Sequence, residues 1–218
     1  MICVCPSDAN GGSLDIRSIF ALPSVYDAFQ DFVGANALKR RFLATSIPSD
    51  KPLRVLEVGC GPGRNLDYLP ETVDYTGCDL SAKYIAHAEK RYGHRAQFYC
   101  LSVADLGNLD LDKFDIVMSI GTLHHLSDDL VQKLPRETLA VLKNDGFFLA
   151  LEPCWTDHQS WIDRTIVSYD RGEDIRAIEG YTKLLRQTFR DAEDPELDTD
   201  VIIYPTSACV IRAGYLAP

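Results

Sequence analysis

The stretch from Leu53 to Gly63, which reads L-R-V-L-E-V-G-C-G-P-G, decides the fold of this 218-residue chain. Its apolar run is bounded by turn residues and predicts a buried central strand of a parallel sheet. Gly59, Gly61 and Gly63 follow, and glycine at such a turn permits positive φ and close approach of a ligand to the backbone. An acid in a buried strand is costly without a partner. We therefore expect Glu57 to pair with an amino group of a ligand or with N–H groups of the loop.

The same stretch resembles the first motif of class I S-adenosylmethionine (SAM)-dependent methyltransferases. The acid lies two residues before the first glycine, and the glycines are spaced G-x-G-x-G. A dinucleotide-binding loop would read G-x-G-x-x-G, but Arg64 stands where its third glycine would be. The resemblance covers the chain from about Leu53 to the C-terminus. It implies an α/β, Rossmann-like fold with a seven-stranded, mostly parallel sheet, an antiparallel C-terminal hairpin and helices on both faces.

The composition indicates one globular domain with a small-molecule partner. The chain is 46% hydrophobic and 25% charged, which is ordinary for a soluble protein. It lacks an apolar run near the ~20 residues of a membrane span, and its N-terminus lacks a secretory signal. Seven cysteines without framework spacing or a C-x-x-C pair favour a reducing cytoplasm and disfavour a metal site. A net charge of −10 disfavours nucleic acid. The sequence leaves the oligomeric state open.

We expect a single methyltransferase domain over residues 1–218 with four parts. Residues 1–48 are predicted to form a tail and a helical cap, and residues 53–153 the SAM-binding core. Simple alternation of strands and helices stops after the fifth strand, and the resemblance implies a substrate-covering insert at 154–180. The last helix and the terminal hairpin are expected at 181–218. Within the core, Asn144-Asp145-Gly146 predicts a turn before the fifth strand, and within the insert Trp155 and Trp161 are expected to pack in a core.

The resemblance also implies which residues contact SAM. Asp79 ends the second predicted strand, where an acid can accept both ribose hydroxyls, although it could instead cap the next helix. The family often carries an acid after the third strand that receives the adenine amino group. Ser102 occupies that position here, which leaves Ser102 with the Val103 backbone, or Asp105, as alternatives. The expected contacts are Glu57, Gly59, Cys60, Gly61, Gly63, Asn65, Asp79, Leu80, Tyr84, Ser102, Val103 and Ile120.

The fourth predicted strand leads into L-H-H-L at residues 123–126, a pattern that resembles small-molecule methyltransferases. A neutral imidazole, with a pKa near 6.5, suits removal of a proton from an acceptor. His124 and His125 are therefore candidate catalytic bases at the carboxyl edge of the sheet, where open α/β folds bind ligands. Glu152, at the end of the fifth strand, is a further candidate. The alternative is that both histidines are structural, one bonded to a backbone carbonyl and one exposed.

The candidate substrate-binding residues are chosen only by their location in the chain. Tyr26 and Gln30 lie in the expected cap, and Arg171, Arg176 and Tyr181 lie in or beside the insert, where they could bind an anionic or sugar-like acceptor. The alternatives are a packed helix and a solvated charged loop.

Taken together, the residues and the resemblance predict transfer of a methyl group from SAM to an O or N atom of a small molecule. The product would be S-adenosylhomocysteine (SAH), and no metal is expected. Two other functions are considered. A SAM-binding partner subunit without catalysis remains open. A nicotinamide-dependent oxidoreductase is opposed by the missing G-x-G-x-x-G and Y-x-x-x-K motifs.

Overall fold

A computed structural model describes residues 35–168, 174–189, 198–203 and 207–214 of the chain. These residues contain a seven-stranded sheet in the order β3-β2-β1-β4-β5-β7-β6. Strands β1 to β5 are parallel, and β7 is antiparallel to both β5 and β6. The strands are β1 (Leu53–Val58), β2 (Val73–Asp79), β3 (Ala96–Cys100), β4 (Phe114–Ile120), β5 (Leu142–Pro153), β6 (Asp198–Ile203) and β7 (Ser207–Gly214). The predicted Rossmann-like fold and its terminal hairpin are confirmed.

Helices connect the strands on both faces of the sheet. The α-helices are α1 (Ala35–Ser46), α2 (Ala82–Tyr92), α3 (Asp128–Val141), α4 (Trp161–Ser168) and α5 (Ile178–Phe189). Short 3-10 helices span Arg64–Tyr68, Val103–Asn108 and Leu123–His125. In the part of the chain that the structure describes, no helix combines the length and apolarity needed to cross a membrane.

Strand β1 is apolar on both faces because it lies between two hydrophobic clusters. Val55 packs in the cluster that α1 and α2 cover. Leu56 and Val58 pack in the cluster that α3 and α5 cover. All three side chains are fully buried, which explains why apolar and polar residues do not simply alternate along the strand.

The prediction of a turn at residues 144–146 is wrong. Strand β5 begins earlier, at Leu142, which pairs with Phe114 of β4. The register then shifts, and Phe147 pairs with Ile116, so the intervening residues form an irregularity of the strand rather than a turn. Gly146 lies against the neighbouring strand, where an added Cβ would stand 2.9 Å from a backbone oxygen of β4. Residues 144–146 therefore form part of a bulge in β5.

Buried hydrogen bonds hold α4 to the carboxyl edge of the sheet. Asp163 is 2% exposed, and its carboxylate accepts hydrogen bonds from the backbone N–H and the hydroxyl of Ser207, which begins β7. Trp161, at the start of α4, is 78% exposed, so its predicted place in a core is wrong. Asp163, two residues later, takes the inward position of this turn of the helix. Trp155 is half-buried.

Candidate functional site

The glycine loop after β1 is bent in the way that only glycine allows without strain. Gly59, Gly61 and Gly63 have φ values of 71°, 52° and 78°. An added Cβ at Gly59 would stand 2.2 Å from a methyl carbon of Thr122, whereas one at Gly61 would meet nothing within 4 Å. The loop therefore packs on one side against the turn after β4 and leaves an open face at Gly61.

Glu57 lies beside this loop and is fully buried. Its carboxylate accepts a hydrogen bond from the side-chain amide of Asn65 at 2.6 Å and another from the hydroxyl of Tyr75. The expectation that loop N–H groups would pair with it is wrong, because those of Gly59 and Cys60 donate to the carbonyl of Cys78 instead.

Tyr75 is a partner that sequence reasoning missed. A signal was present, because the parallel register places Gly77 of β2 opposite Glu57, and Tyr75 lies two residues earlier on the same face.

Burial raises the pKa of Glu57 from 4.5 to about 7, against the lowering effect of the hydrogen bonds from Tyr75 and Asn65. The carboxyl therefore changes its protonation state near neutral pH.

Asp79, the last residue of β2, joins the glycine loop to α2. One carboxylate oxygen accepts the N–H of Gly61 at 2.9 Å, and the other accepts the N–H of Ser81 at 2.8 Å. Ser81 is the N-cap of α2, with its side chain accepting from the N–H of Tyr84. Asp79 is partly exposed, and each of its oxygens has a second lone pair. The carboxylate is therefore able to accept two ligand hydroxyls while it holds the loop.

Apolar side chains stand open to solvent next to Asp79. Leu80 is 69% exposed and Tyr84 is 41% exposed. Ser102 lies across from them, since the N–H of Leu101 donates to the backbone carbonyl of Asp79. The Ser102 hydroxyl caps the 3-10 helix by accepting the N–H of Ala104 at 3.2 Å. An apolar rim beside a carboxylate suits a flat, partly polar ligand group.

The adenine alternatives differ in exposure. Asp105 is exposed, whereas Ser102 and Val103 are half-buried at the end of β3. Ile120 is 5% exposed at the end of β4. The geometry brings all of these residues to the carboxyl edge of the sheet.

The turn after β4 is held by one buried carboxylate. Glu152, at the end of β5, is fully buried. One of its oxygens accepts the N–H groups of Thr122 and Leu123 at 2.9 and 3.0 Å. The other lies 2.8 Å from Nδ1 of His124 and 3.4 Å from its backbone N. Because these four contacts surround both oxygens, the structure argues against Glu152 as a base that touches substrate, and its contacts are those of a positioning group.

The two histidines differ in their surroundings. His124 is 3% exposed, whereas His125 is exposed, and their rings lie 4.1 Å apart. The hydroxyl of Thr122 donates to the carbonyl of Gly59 at 3.2 Å. Thr122 is thus a residue that sequence reasoning missed, and it ties the histidine turn to the glycine loop.

Arg176 and Tyr181 are engaged within the fold. The Arg176 guanidinium hydrogen-bonds to the carboxylate of Asp128 and to backbone carbonyls. Tyr181 is fully buried in the hydrophobic core, and its hydroxyl donates to the carbonyl of Pro153 at 3.2 Å. Both sets of contacts argue against the predicted substrate roles of these two side chains.

Three other candidates for substrate binding, Tyr26, Gln30 and Arg171, lie outside the described residues. Across residues 35–168 and the shorter described segments, no cluster of three or more His, Cys, Asp or Glu side chains is arranged to hold a metal ion.

Residues 55–146 match a family model described as a methyltransferase domain. The chain is similar to the non-reducing polyketide synthase azaA of Aspergillus niger, with 32% identity over 136 residues, 56% of this chain and 5% of that protein. It is also similar to phosphoethanolamine N-methyltransferase 3 of Arabidopsis thaliana, with 31% identity over 140 residues, 61% of this chain and 28% of that protein. The chain thus spans only a small part of the length of either relative.

The solved structures share the fold. A geranyl diphosphate C-methyltransferase from Streptomyces coelicolor, crystallised with Mg²⁺, geranyl diphosphate and SAH, superposes with a TM-score of 0.60. The match covers 83% of this chain and 81% of that chain at 13% sequence identity.

The raised pKa of Glu57 predicts a pH-dependent contribution to stability. The folded state holds this proton more tightly than the unfolded state, so the stabilisation is complete below pH 4.5 and is lost as the pH rises through about 7. Relative to Glu57→Gln, the wild-type free energy of unfolding should fall by roughly 2 kcal/mol between about pH 5.5 and about pH 8. Urea unfolding at both pH values measures this difference. The control Glu89→Gln, at an exposed position of α2, should keep the wild-type pH dependence. An equal change in the free energy of unfolding between the two pH values for wild type and Glu57→Gln would contradict the prediction.

Proposed function

We propose that the chain is a class I, SAM-dependent methyltransferase that transfers a methyl group from SAM to a small-molecule acceptor, since residues 55–146 match a methyltransferase-domain model. The observation that carries the proposal is the geometry of one sheet edge. The open face of Gly61, the partly exposed carboxylate of Asp79 and the turn of His124 all lie there. The Thr122 hydroxyl joins the turn to the loop.

The residues present fit the parts of SAM. The loop has room for a ligand at Gly61, where an added Cβ would meet nothing within 4 Å. Asp79 has lone pairs for two ribose hydroxyls, and the exposed Leu80 and Tyr84 suit the adenine. Ser102 with the Val103 backbone, or Asp105, would receive the adenine amino group. Bound SAM supplies an activated methyl group: an acceptor lone pair bonds to the methyl carbon, and the electron pair of the broken C–S bond stays on sulfur.

We assign His124 as the base for acceptors that must lose a proton. In this proposal Glu152 is an ionised carboxylate, which only accepts hydrogen bonds, and its 2.8 Å contact therefore assigns the ring proton to Nδ1. Nε2 of the neutral ring then holds the lone pair that takes the acceptor proton. Gly121 lies against the Cε1 edge of the ring, since an added Cβ there would stand 3.8 Å from Cε1. His125 is the exposed alternative, and Glu152 orients His124.

The relatives support a small-molecule acceptor and differ in the atom methylated. The name of the plant relative specifies N-methyl transfer, and that of the bacterial structure specifies C-methyl transfer. We propose an O or N atom as the acceptor, since an ionisable acceptor would use the base at His124. In this proposal residues 1–48 and 154–180 enclose the acceptor, and residues 53–153 hold SAM.

The cofactor assignment predicts a selective thermal shift. SAH should stabilise the protein by about 2.7 kcal/mol at about 100 times its dissociation constant, because it binds the folded state only. NAD should leave the melting temperature unchanged. Differential scanning fluorimetry with each compound measures both effects. A shift with NAD and none with SAH would favour the oxidoreductase alternative.

Asp79→Ala should weaken SAH binding by roughly 1–3 kcal/mol, because the ribose hydroxyls lose a charged acceptor. Isothermal titration calorimetry measures the affinity. Asp74→Ala is the matched control: Asp74 lies at the other end of β2, with 63% of its side chain exposed, and pairs with Arg54. It should keep wild-type affinity. A folded Asp79→Ala protein with wild-type affinity would show that Asp79 serves only the loop.

Methyl-labelled SAM should transfer its label to a metabolite. The protein is incubated with labelled SAM and a metabolite extract of the source organism, and label is followed by mass spectrometry. The expected result is a newly labelled small molecule, while label on RNA or protein would contradict the acceptor class. Binding of SAH without any transfer would favour the partner-subunit alternative.

A further inference from the structure

The five N–H groups of the Arg176 guanidinium all donate within the protein. Nε and Nη2 donate to the same oxygen of Asp128 at 3.0 and 2.6 Å. Nη1 donates to the carbonyls of Leu123 and Asp174 at 3.1 and 2.8 Å, and Nη2 also donates to the carbonyl of Leu126 at 2.8 Å. Since guanidinium has five such donors, the side chain has none left for an anionic acceptor.

These bonds place Arg176 on the turn that contains the two histidines. The carbonyls of Leu123 and Leu126 belong to the L-H-H-L segment. A third carbonyl of this segment, that of His124, accepts the backbone N–H of Asp174 at 3.1 Å. The N–H groups at the start of the turn go to Glu152. The turn is therefore held through its N–H groups from one side and through its carbonyls from the other.

The two anchors flank residues 154–173 in the chain. Glu152 is the next-to-last residue of β5, and Asp174 and Arg176 precede α5. The two anchors also lie close to each other, because the N–H of Trp155 donates to the carbonyl of Arg176 at 3.1 Å and Trp155 forms a parallel bridge with Ala177. Both anchors therefore meet at the histidine turn.

We propose that Arg176 is a positioning residue for methyl transfer: it holds the L-H-H-L turn through the carbonyls of Leu123 and Leu126 and so sets where His124 stands at the sheet edge. This proposal rests on the proposed function for its substrate. A small displacement of this turn lowers the rate rather than the cofactor affinity, because Arg176 contacts neither the glycine loop nor Asp79.

The test replaces Arg176 by Gln and measures the surroundings of His124 in the turn by NMR spectroscopy. Protein labelled with ¹⁵N in histidine reports the ring nitrogens of His124 in long-range ¹H–¹⁵N spectra with saturating SAH, and His124→Gln identifies its signals. Arg176→Gln should shift and broaden these signals and lower the rate of label transfer from SAM into the metabolite extract by about tenfold to about a hundredfold. SAH affinity should stay at the wild-type value.

Two variants serve as controls. Arg164→Gln removes the same side chain from an exposed site on α4, where its guanidinium lies over the ring of Trp155, and should leave the His124 signals unchanged. Asp128→Asn keeps an acceptor oxygen for Arg176 and should change them little. If Arg176→Gln does not fold, Arg176→Lys takes its place, because lysine keeps the charge but has too few donors for three carbonyls and Asp128.

Wild-type His124 signals and transfer rate in a folded Arg176 variant would overturn the proposal. So would loss of SAH affinity equal to the loss of rate, because Arg176 would then act through the cofactor site. The spectra need no acceptor. Absence of SAH binding or of transfer in the wild type would therefore contradict the proposed function, while the response of His124 still decides the role of Arg176.

Discussion

The buried carboxylate of Glu152 is the contact on which the functional edge of the sheet depends. A charge with no exposed surface is costly unless hydrogen bonds replace its hydration. Three backbone N–H groups and Nδ1 of His124 do so here. Because these donors all come from one turn, the turn has a single favourable position, directly after β4 and against the end of β5.

That turn connects the two halves of the site. On one side, Thr122 fills the space above Gly59 and donates to its carbonyl, which joins the turn to the glycine loop. On the other side, Arg176 and Asp174 bind its carbonyls. The glycine loop, the histidine turn and the residues around Arg176 therefore form one hydrogen-bonded unit, and under the proposed function this unit would align the two molecules of an in-line transfer.

Much of the fold and of the candidate site was predictable from local sequence. The apolar run of β1, its three glycines and the acid at the end of β2 have meanings that depend on near neighbours in the chain and on the rules for parallel sheets. The errors came where a distant strand decided the outcome. Asn144-Asp145-Gly146 has turn chemistry, but pairing of Leu142 with Phe114 makes these residues a bulge. Trp161 is apolar, but Asp163 beside it takes the inward position.

The sequence by itself determined the buried central strand, the shape of the glycine loop and the set of polar residues that reach the carboxyl edge, because periodicity and glycine act over a few residues. Only the tertiary structure decided what those polar residues do. Glu57 of β1 pairs with Tyr75 of the neighbouring strand β2. Glu152 accepts hydrogen bonds from the donors of a turn 30 residues away. The guanidinium of Arg176 donates to groups of the protein instead of to a ligand. The physical reason is that a hydrogen-bonding group has a limited number of partners, and which partners it meets is set by contacts between segments far apart in the chain.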